Sequence, residues 1–296
     1  MTAHSKVGFS ARKRWRNCSG SVKLVEIAGG SKSSAHAQEG TAAHALQERC
    51  LRADEDAADW IGLEFEYDDH GEKKKIVVSE EMGGYIQGVL DNIRADLASD
   101  PEAVLLVETK LHLTQVHQDL FSTGDVAIWF PGKRRLQCRD LKYGKGISVD
   151  VEDEDGNAND QLEGYGLGYL LANPQWKPVD VELVVDQPRA FHVDGPTRRT
   201  VLPVSHFVDL AADLADEVHE TELAAAAYGK LPADEWAAAF LQPGEHCRSS
   251  FCAAQGICPA IRGKAQELAK QAFAPGLPYD AQQLADTLEW LPILEA

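Results

Sequence analysis

Thr123-Gly124-Asp125-Val126-Ala127-Ile128-Trp129-Phe130, followed by Pro131-Gly132 and then by Arg134-Arg135-Leu136-Gln137-Cys138-Arg139-Asp140-Leu141-Lys142, is the stretch on which the fold turns. Residues 123–130 and 134–142 are runs rich in apolar and β-branched residues, and Pro131-Gly132 separates them as a hairpin turn would. Val126 to Phe130 is nearly continuous in apolar residues, the mark of a central strand. Asp140 and Lys142 stand two apart, so a strand directs both to one face, with Leu136 and Cys138 at the same parity entering the core. A charged pair on an otherwise buried face needs compensation, because an unpaired buried ion is costly. A divalent cation held by Asp125 and Asp140 would supply it, and hard oxygen ligands suit magnesium or manganese. Such an ion lowers the pKa of water and neutralises a phosphate, with Lys142 placed to orient or deprotonate the attacking water. The competing explanation is that these are ordinary strand-end charges, since Asp-x-Lys alone recurs by chance.

Outward from this hairpin the pattern is a mixed α/β fold, a sheet flanked by helices. A helix and a loop are expected over 7–29, a connector at 29–34, and a helix over 41–53 capped by Thr41 with an Ala43/Leu46/Cys50 stripe. A hairpin over 63–78 turns at 68–71, and Ser79 opens a helix to about 97 with Glu80 and Glu81 in its first turn. Further strands are expected at 103–113 and 179–185. Helices are expected at 159–172, 205–227, 232–240, 259–273 and 279–290. Gln161 and Tyr165 are one turn apart and share a face of the 159–172 helix. Gly164, Gly166 and Gly168 interrupt that helix at about 1 kcal/mol each relative to alanine, a cost that close approach to the sheet or to a DNA backbone would offset.

The chain has 296 residues, 44% of them hydrophobic, enough for one large domain or two ordinary ones. No apolar run reaches the length of a membrane span, and no secretory signal is read at the start, so a cytoplasmic location without membrane contact is expected. The net charge of −18 counts against a nucleic-acid partner. Local charge differs: Lys6, Arg12, Lys13, Arg14 and Arg16 cluster around Trp15, and Lys133, Arg134, Arg135, Arg139, Lys142 and Lys145 surround Asp140. The second cluster is expected to face DNA, and Trp15, Tyr143 and Tyr165 either stack on a strand or pack in the core. Acidic runs at 54–59 and 150–160 read as solvated faces. Six cysteines in a cytosolic chain argue against a disulfide framework, and Cys247, Cys252 and Cys258 near the C-terminus suggest metal. Cys50 and Cys138 read as buried helix and strand residues.

Gly124-Asp125, Asp140-Leu141-Lys142 and Gln161-x-x-x-Tyr165, in this order and spacing, resemble the PD-(D/E)XK nucleases of the RecB type, a branch that includes iron–sulfur exonucleases. Gly40-Thr41-Ala42-Ala43-His44, Asp140 to Gly146 and Gln161 to Gly168 resemble a sub-family common in phages and prophages. The resemblance covers roughly residues 8–260. It implies a restriction-endonuclease-like core with helical N- and C-terminal additions, a nuclease domain over 1–260 and a helical extension over 261–296. Asp125 and Asp140 match its metal-binding acids, Lys142 its catalytic lysine, and His44 the histidine that completes the metal shell. Gln161 and Tyr165 match the motif that positions the DNA strand and the lysine, and Glu108 sits where some relatives carry an auxiliary acid. The iron–sulfur members hold a [4Fe–4S] cluster with one early and three late cysteines, here Cys18, Cys247, Cys252 and Cys258. The first late spacing is x4 where relatives show x2, and four residues also falls within zinc's range, so cluster, structural zinc and free thiols stay open.

The expected function is hydrolysis of DNA phosphodiester bonds, as an exonuclease at single-stranded or duplex ends in phage or prophage recombination or repair, alongside phage recombination proteins. The alternative is an inactive nuclease-fold protein that binds DNA or inhibits another enzyme, which the acidic charge favours and the intact acid–acid–lysine set disfavours. Cleavage polarity, DNA against RNA preference and oligomeric state are not legible.

Overall fold

The computed structural model of the protein describes residues 6–30, 35–69, 71–272 and 281–294. Residues 31–34 of the expected connector, residue 70 of the expected turn, and residues 273 and 279–280 of the expected C-terminal helices lie outside the described residues. In chain order the elements are α1 (Arg12–Asn17), α2 (Ser21–Ile27), α3 (Ala35–Ala53), β1 (Glu64–Asp69), β2 (Glu72–Val77), α4 (Glu80–Ala98), β3 (Val104–His112), β4 (Phe121–Phe130), β5 (Arg135–Leu141), α5 (Asp160–Ala172), β6 (Asp180–Asp186), β7 (Thr197–Pro203), α6 (Val204–Ala227), α7 (Ala233–Phe240), α8 (Glu245–Ser249), α9 (Pro259–Ala272) and α10 (Ala281–Leu294). They form two compact units, one of Met1–Phe9 with Ser33–Ala212, the other of Ser10–Lys32 with Asp213–Ala296.

The first unit holds a five-stranded mixed sheet in the order β3-β4-β5-β6-β7 and the separate β1-β2 hairpin. Pairings are antiparallel except β5 with β6, which α5 connects as a parallel crossover. β4 is buried from Gly124 to Phe130, as the apolar run predicts for a central strand. Val126, Ile128 and Phe130 on β4 share one core with Leu141, with Ala42, Ala43, Leu46 and Cys50 of α3, and with the Met82/Ile86/Val89/Leu90/Ile93 stripe of α4. The Ser79 hydroxyl caps α4 by accepting the Met82 N–H at 3.1 Å.

Helix α5 lies almost entirely buried, and its glycines explain how. A Cβ at Gly164 would overlap the Phe9 ring, one at Gly166 would stand 2.6 Å from Phe207 and one at Gly168 2.9 Å from Leu111. The side chains of neighbouring elements therefore fill the space that glycine leaves. Beneath the sheet Arg139, 1% exposed, donates from Nε and Nη2 to the two carboxylate oxygens of Asp186, both at 3.0 Å, and from Nη2 to Asn92 at 2.9 Å. This fork ties β5 to β6 and α4.

Two expectations are corrected, and two elements fall outside the expected set. Helix α3 begins at Ala35, and Thr41 is not its cap: the Thr41 hydroxyl donates back to the Ala37 carbonyl at 3.1 Å from within the helix. The 7–29 segment is a 3-10 turn plus two short helices, broken where Gly20 donates its N–H to the Phe240 carbonyl at 2.9 Å. Strand β7 went unread because Arg198 and Arg199 interrupt its apolar pattern, and α8 because a five-residue helix has no period to detect.

The second unit packs Cys18, Leu24, Trp236, Leu241, Cys247, Cys258, Ile261 and Ile293 into a small core of its own. Trp236 is fixed there by donating Nε1–H to the Ala224 carbonyl at 2.8 Å. Among the described residues no helix is long and apolar enough to cross a membrane.

The α5 packing yields a first prediction. Gly164→Ala is expected to destabilise the protein by about 1–3 kcal/mol through overpacking, outweighing the ~1 kcal/mol that alanine gains in helix propensity. Urea unfolding midpoints measure this, and a variant as stable as the parent would contradict the packing.

Candidate metal-binding site

Sheet register brings three carboxylates to one level. Val107 pairs with Val126 and Thr109 with Gly124, which leaves Glu108 opposite Asp125. On the other side Val126 pairs with Arg139, and the next step along each strand is Asp125 and Asp140. Glu108 has φ +46, a left-handed conformation that costs a non-glycine residue about 1–3 kcal/mol and recurs at functional sites. His44 comes from α3, with Nδ1 3.2 Å from Asp125 Oδ2. One ligand atom each from His44, Glu108 and Asp125 lies within 4.8 Å of the other two.

Lys142 and α5 complete the constellation. The Lys142 ammonium stands 2.8 Å from Asp140 Oδ2 and donates to Gln161 Oε1 at 2.6 Å. Gln161 Nε2 donates to Asp140 Oδ1 at 3.0 Å and to the Tyr165 hydroxyl at 2.6 Å. An ammonium only donates and a carboxylate only accepts, so these two neighbours fix which end of the Gln161 amide faces which. Asn159 caps α5 by accepting the Gln161 and Leu162 N–H groups at 3.1 and 3.3 Å, which sets where Gln161 emerges. All six of Asp125, Asp140, Lys142, Gln161, Tyr165 and His44 thus meet in one place, with Glu108 beside them.

Two supports were not legible in the sequence. The Leu141 backbone N–H donates to Asp125 Oδ2 at 3.1 Å. The Tyr169 hydroxyl donates to the Gly124 carbonyl at 3.2 Å, and a Cβ at Gly124 would stand 2.8 Å from the Tyr169 ring. The glycine of Gly-Asp is therefore the residue that lets Tyr169 pin the start of β4. A glycine directly before a suspected ligand is the one signal that pointed there.

The electrostatics follow from crowded acids. Burial works to lower the His44 pKa, but Asp125, by charge and hydrogen bond, with Asp140 and Glu108, raises it to about 9. Burial pushes Asp140 up to about 6 against the pull of Lys142, and burial with the Asp125 charge pushes Glu108 up to about 7. Asp125 is held low: burial opposes this, and His44, Lys142 and the Leu141 N–H prevail. Asp140 Oδ2 is buried and accepts no aligned hydrogen bond, although the ammonium is near. An incompletely satisfied buried carboxylate oxygen beside three clustered donors of oxygen and imidazole type fits a hard divalent cation.

The expected DNA-facing cluster is corrected. Arg139 is buried against Asp186, Arg135 forks onto Asp180 at 2.7 and 2.9 Å, and Lys145 pairs with Glu81 at 3.0 Å. Arg134 donates to the Lys177 carbonyl at 2.8 Å. Arg135 and Arg139 are thus neutralised by neighbouring acids, whereas Lys133, Arg134 and Lys145 stay exposed. Trp15, Tyr143 and Tyr165 are buried as well, at 0%, 4% and 4% exposure, so none is a stacking platform.

In the second unit Cys18, Cys247, Cys252 and Cys258 are in no disulfide and line one cavity of about 10 Å³ together with Arg14 and His246. Cys18 follows α1 where the chain breaks, and Cys247 lies in α8. Cys252 N–H donates to the Cys247 carbonyl at 3.0 Å. Phe251, at φ +46, turns the chain between them, so the x4 spacing still returns Cys252 to the cavity. Burial pushes the Cys18 thiol up to about 11 and raises Cys247. Cys50 and Cys138 are buried in the first unit, as expected.

A family model described as "Protein of unknown function (DUF2800)" matches residues 4–296, and the chain belongs to that family. No solved structure matches the chain.

The shifted groups give a pH prediction for the protein in chelator. His44 has a folded pKa of about 9 against an ordinary 6.5, so the stability it contributes is fully present below pH 6.5 and lost as pH rises through 9. Glu108, raised from 4.5 to about 7, acts with the same sign at lower pH. The melting temperature is expected to fall between pH 6.5 and 9, and His44→Gln to flatten that fall; a parallel decline in the variant would contradict the His44–Asp125 coupling.

Proposed function

We propose that this protein is a divalent-metal-dependent DNA nuclease of the PD-(D/E)XK, RecB-like type, acting at DNA ends with magnesium or manganese. The observation that carries the reading is the single register level at which Glu108, Asp125 and Asp140 meet His44 and the Lys142–Gln161 pair. Residues that the sequence scatters from 44 to 165 converge there, in the order and chemistry of the resemblance.

His44, Asp125, Asp140 and Glu108 would hold the ion, which supplies charge neutralisation at the phosphate and makes water acidic enough to attack. Lys142, locked by Asp140 and Gln161, keeps a donor aimed at that water and at the developing charge. Tyr165 acts through Gln161, to which its hydroxyl is hydrogen-bonded at 2.6 Å. Buried, Tyr165 contributes positioning rather than stacking.

The cysteine site is read as a [4Fe–4S] cluster that closes the second unit between Cys18 and the three late cysteines. The cluster reading rests on the resemblance, and a structural zinc held by the same four thiolates is the alternative. With zinc, four thiolates around one ion would leave no open position for water, so that site would be structural. Its ligands join residue 18 to residues 247–258, and closing so long a loop turns metal affinity into folding stability.

The test incubates end-labelled linear DNA with the pure protein and manganese. Mononucleotide release is expected from the parent, with a loss of about 10²-fold or more for Asp140→Ala and Lys142→Met. Both variants should keep the parental fold by circular dichroism. No cleavage, with Asp140→Ala indistinguishable from the parent, would sink the enzyme reading and favour a non-catalytic DNA-binding or inhibitory role.

A further inference from the structure

Helix α1 carries three cations in succession, and they differ in what balances them. Arg12 forks onto Glu217 at 2.8 and 3.0 Å, and Lys13 stands 3.4 Å from Glu245. Arg14 is 7% exposed, and its Nη1 donates to the Ser21 hydroxyl at 3.0 Å. Among the described residues no carboxylate pairs with it. The groups whose charge acts on it are Cys252, Cys18 and Cys247, and it lines the cysteine cavity. A buried guanidinium needs an anion, because a hydroxyl satisfies one donor and no charge.

We propose that Arg14 is the built-in counter-cation of a metal–thiolate unit formed by Cys18, Cys247, Cys252 and Cys258. This rests on the reading that the four cysteines hold a metal. Four thiolates around a dicationic ion or cluster core leave net negative charge in a buried place, and Arg14 offsets it. The dependence is mutual: without metal the thiols keep their protons, and the arginine is left buried with no counter-anion among the described residues. Arg14 is thus a positioning residue for the unit, not a ligand, since a guanidinium has no lone pair to offer. It acts as the outer-shell partners of other metal sites do.

Two opposed readouts separate this from a merely structural arginine. Parent, Arg14→Met, Arg14→Lys and Ser21→Ala proteins are purified anaerobically, analysed for iron, sulfide and zinc per chain, and followed for metal release to a chelator. Their melting temperatures are then taken after metal is stripped. Arg14→Met is expected to release metal about 10-fold faster or more, yet to melt at or above the parent once stripped, because it removes an unbalanced buried charge. Arg14→Lys restores slow release, and Ser21→Ala behaves as the parent. If Arg14→Met retains metal like the parent, or lowers the melting temperature of loaded and stripped protein alike, the counter-cation role is overturned while the cysteine site stands. Failure of Arg14→Lys to restore retention overturns it also. A parent protein that carries neither iron nor zinc overturns the cysteine reading itself, and this inference with it.

Discussion

Three carboxylates held at one level of a sheet repel one another, and the surrounding architecture answers that repulsion. At an effective dielectric of about 20, two unit charges within about 5 Å cost up to about 3–4 kcal/mol, comparable to a large share of a domain's net stability. Each element around β4 contributes part of the answer. Helix α3 brings the His44 imidazole, β5 brings the Leu141 N–H, the residue after it brings the Lys142 ammonium, and α5 brings the Gln161 amide. Burial, together with the charge of Asp125, still raises the Asp140 and Glu108 pKa values. A divalent cation is the remaining group that would satisfy all three acids together.

The rest of the first unit positions those groups. The Arg139–Asp186 fork fixes β5 against β6, so the step from Asp140 to Lys142 cannot slip relative to the parallel strand. The glycines of α5, Gly164 and Gly168 on one side and Gly166 on the other, let that helix sink among Phe9, Leu111 and Phe207, close enough for Gln161 to span Lys142 and Asp140. Tyr169 reaches past the absent Gly124 side chain to hold the first residues of β4. The second unit solves a separate problem of charge. There the buried Arg14 faces four thiols, a cation awaiting an anion where the sheet has anions awaiting a cation.

The sequence made the site legible wherever local pattern and chemistry coincided. The β4–β5 hairpin was visible because an apolar run, a Pro-Gly turn and a period-two charged pair reinforce one another. Gln161 and Tyr165 were visible because helical spacing puts them on one face, and the three glycines announced close packing. Glu108 was harder, since its position depends on a left-handed residue within a strand, which no propensity suggests. The basic cluster misled because sequence shows where charge lies but not what neutralises it; Asp180, Asp186 and Glu81 come from distant segments. Arg14 was invisible for the same reason in reverse, as one of five cations around Trp15 whose burial only the fold reveals. Strand β7 hid because both its arginines serve tertiary contacts, Arg198 with the Val149 carbonyl and Arg199 with Asp96.

The central claim is that one register level of this sheet is a divalent-cation site. The most direct measurement is anomalous diffraction at the manganese edge from crystals of the protein soaked in manganese. The account predicts one peak at bonding distance from Asp125 and Asp140, with His44 or Glu108 completing the shell. A structure with no peak there, and His44 still hydrogen-bonded to Asp125 at saturating manganese, would contradict it.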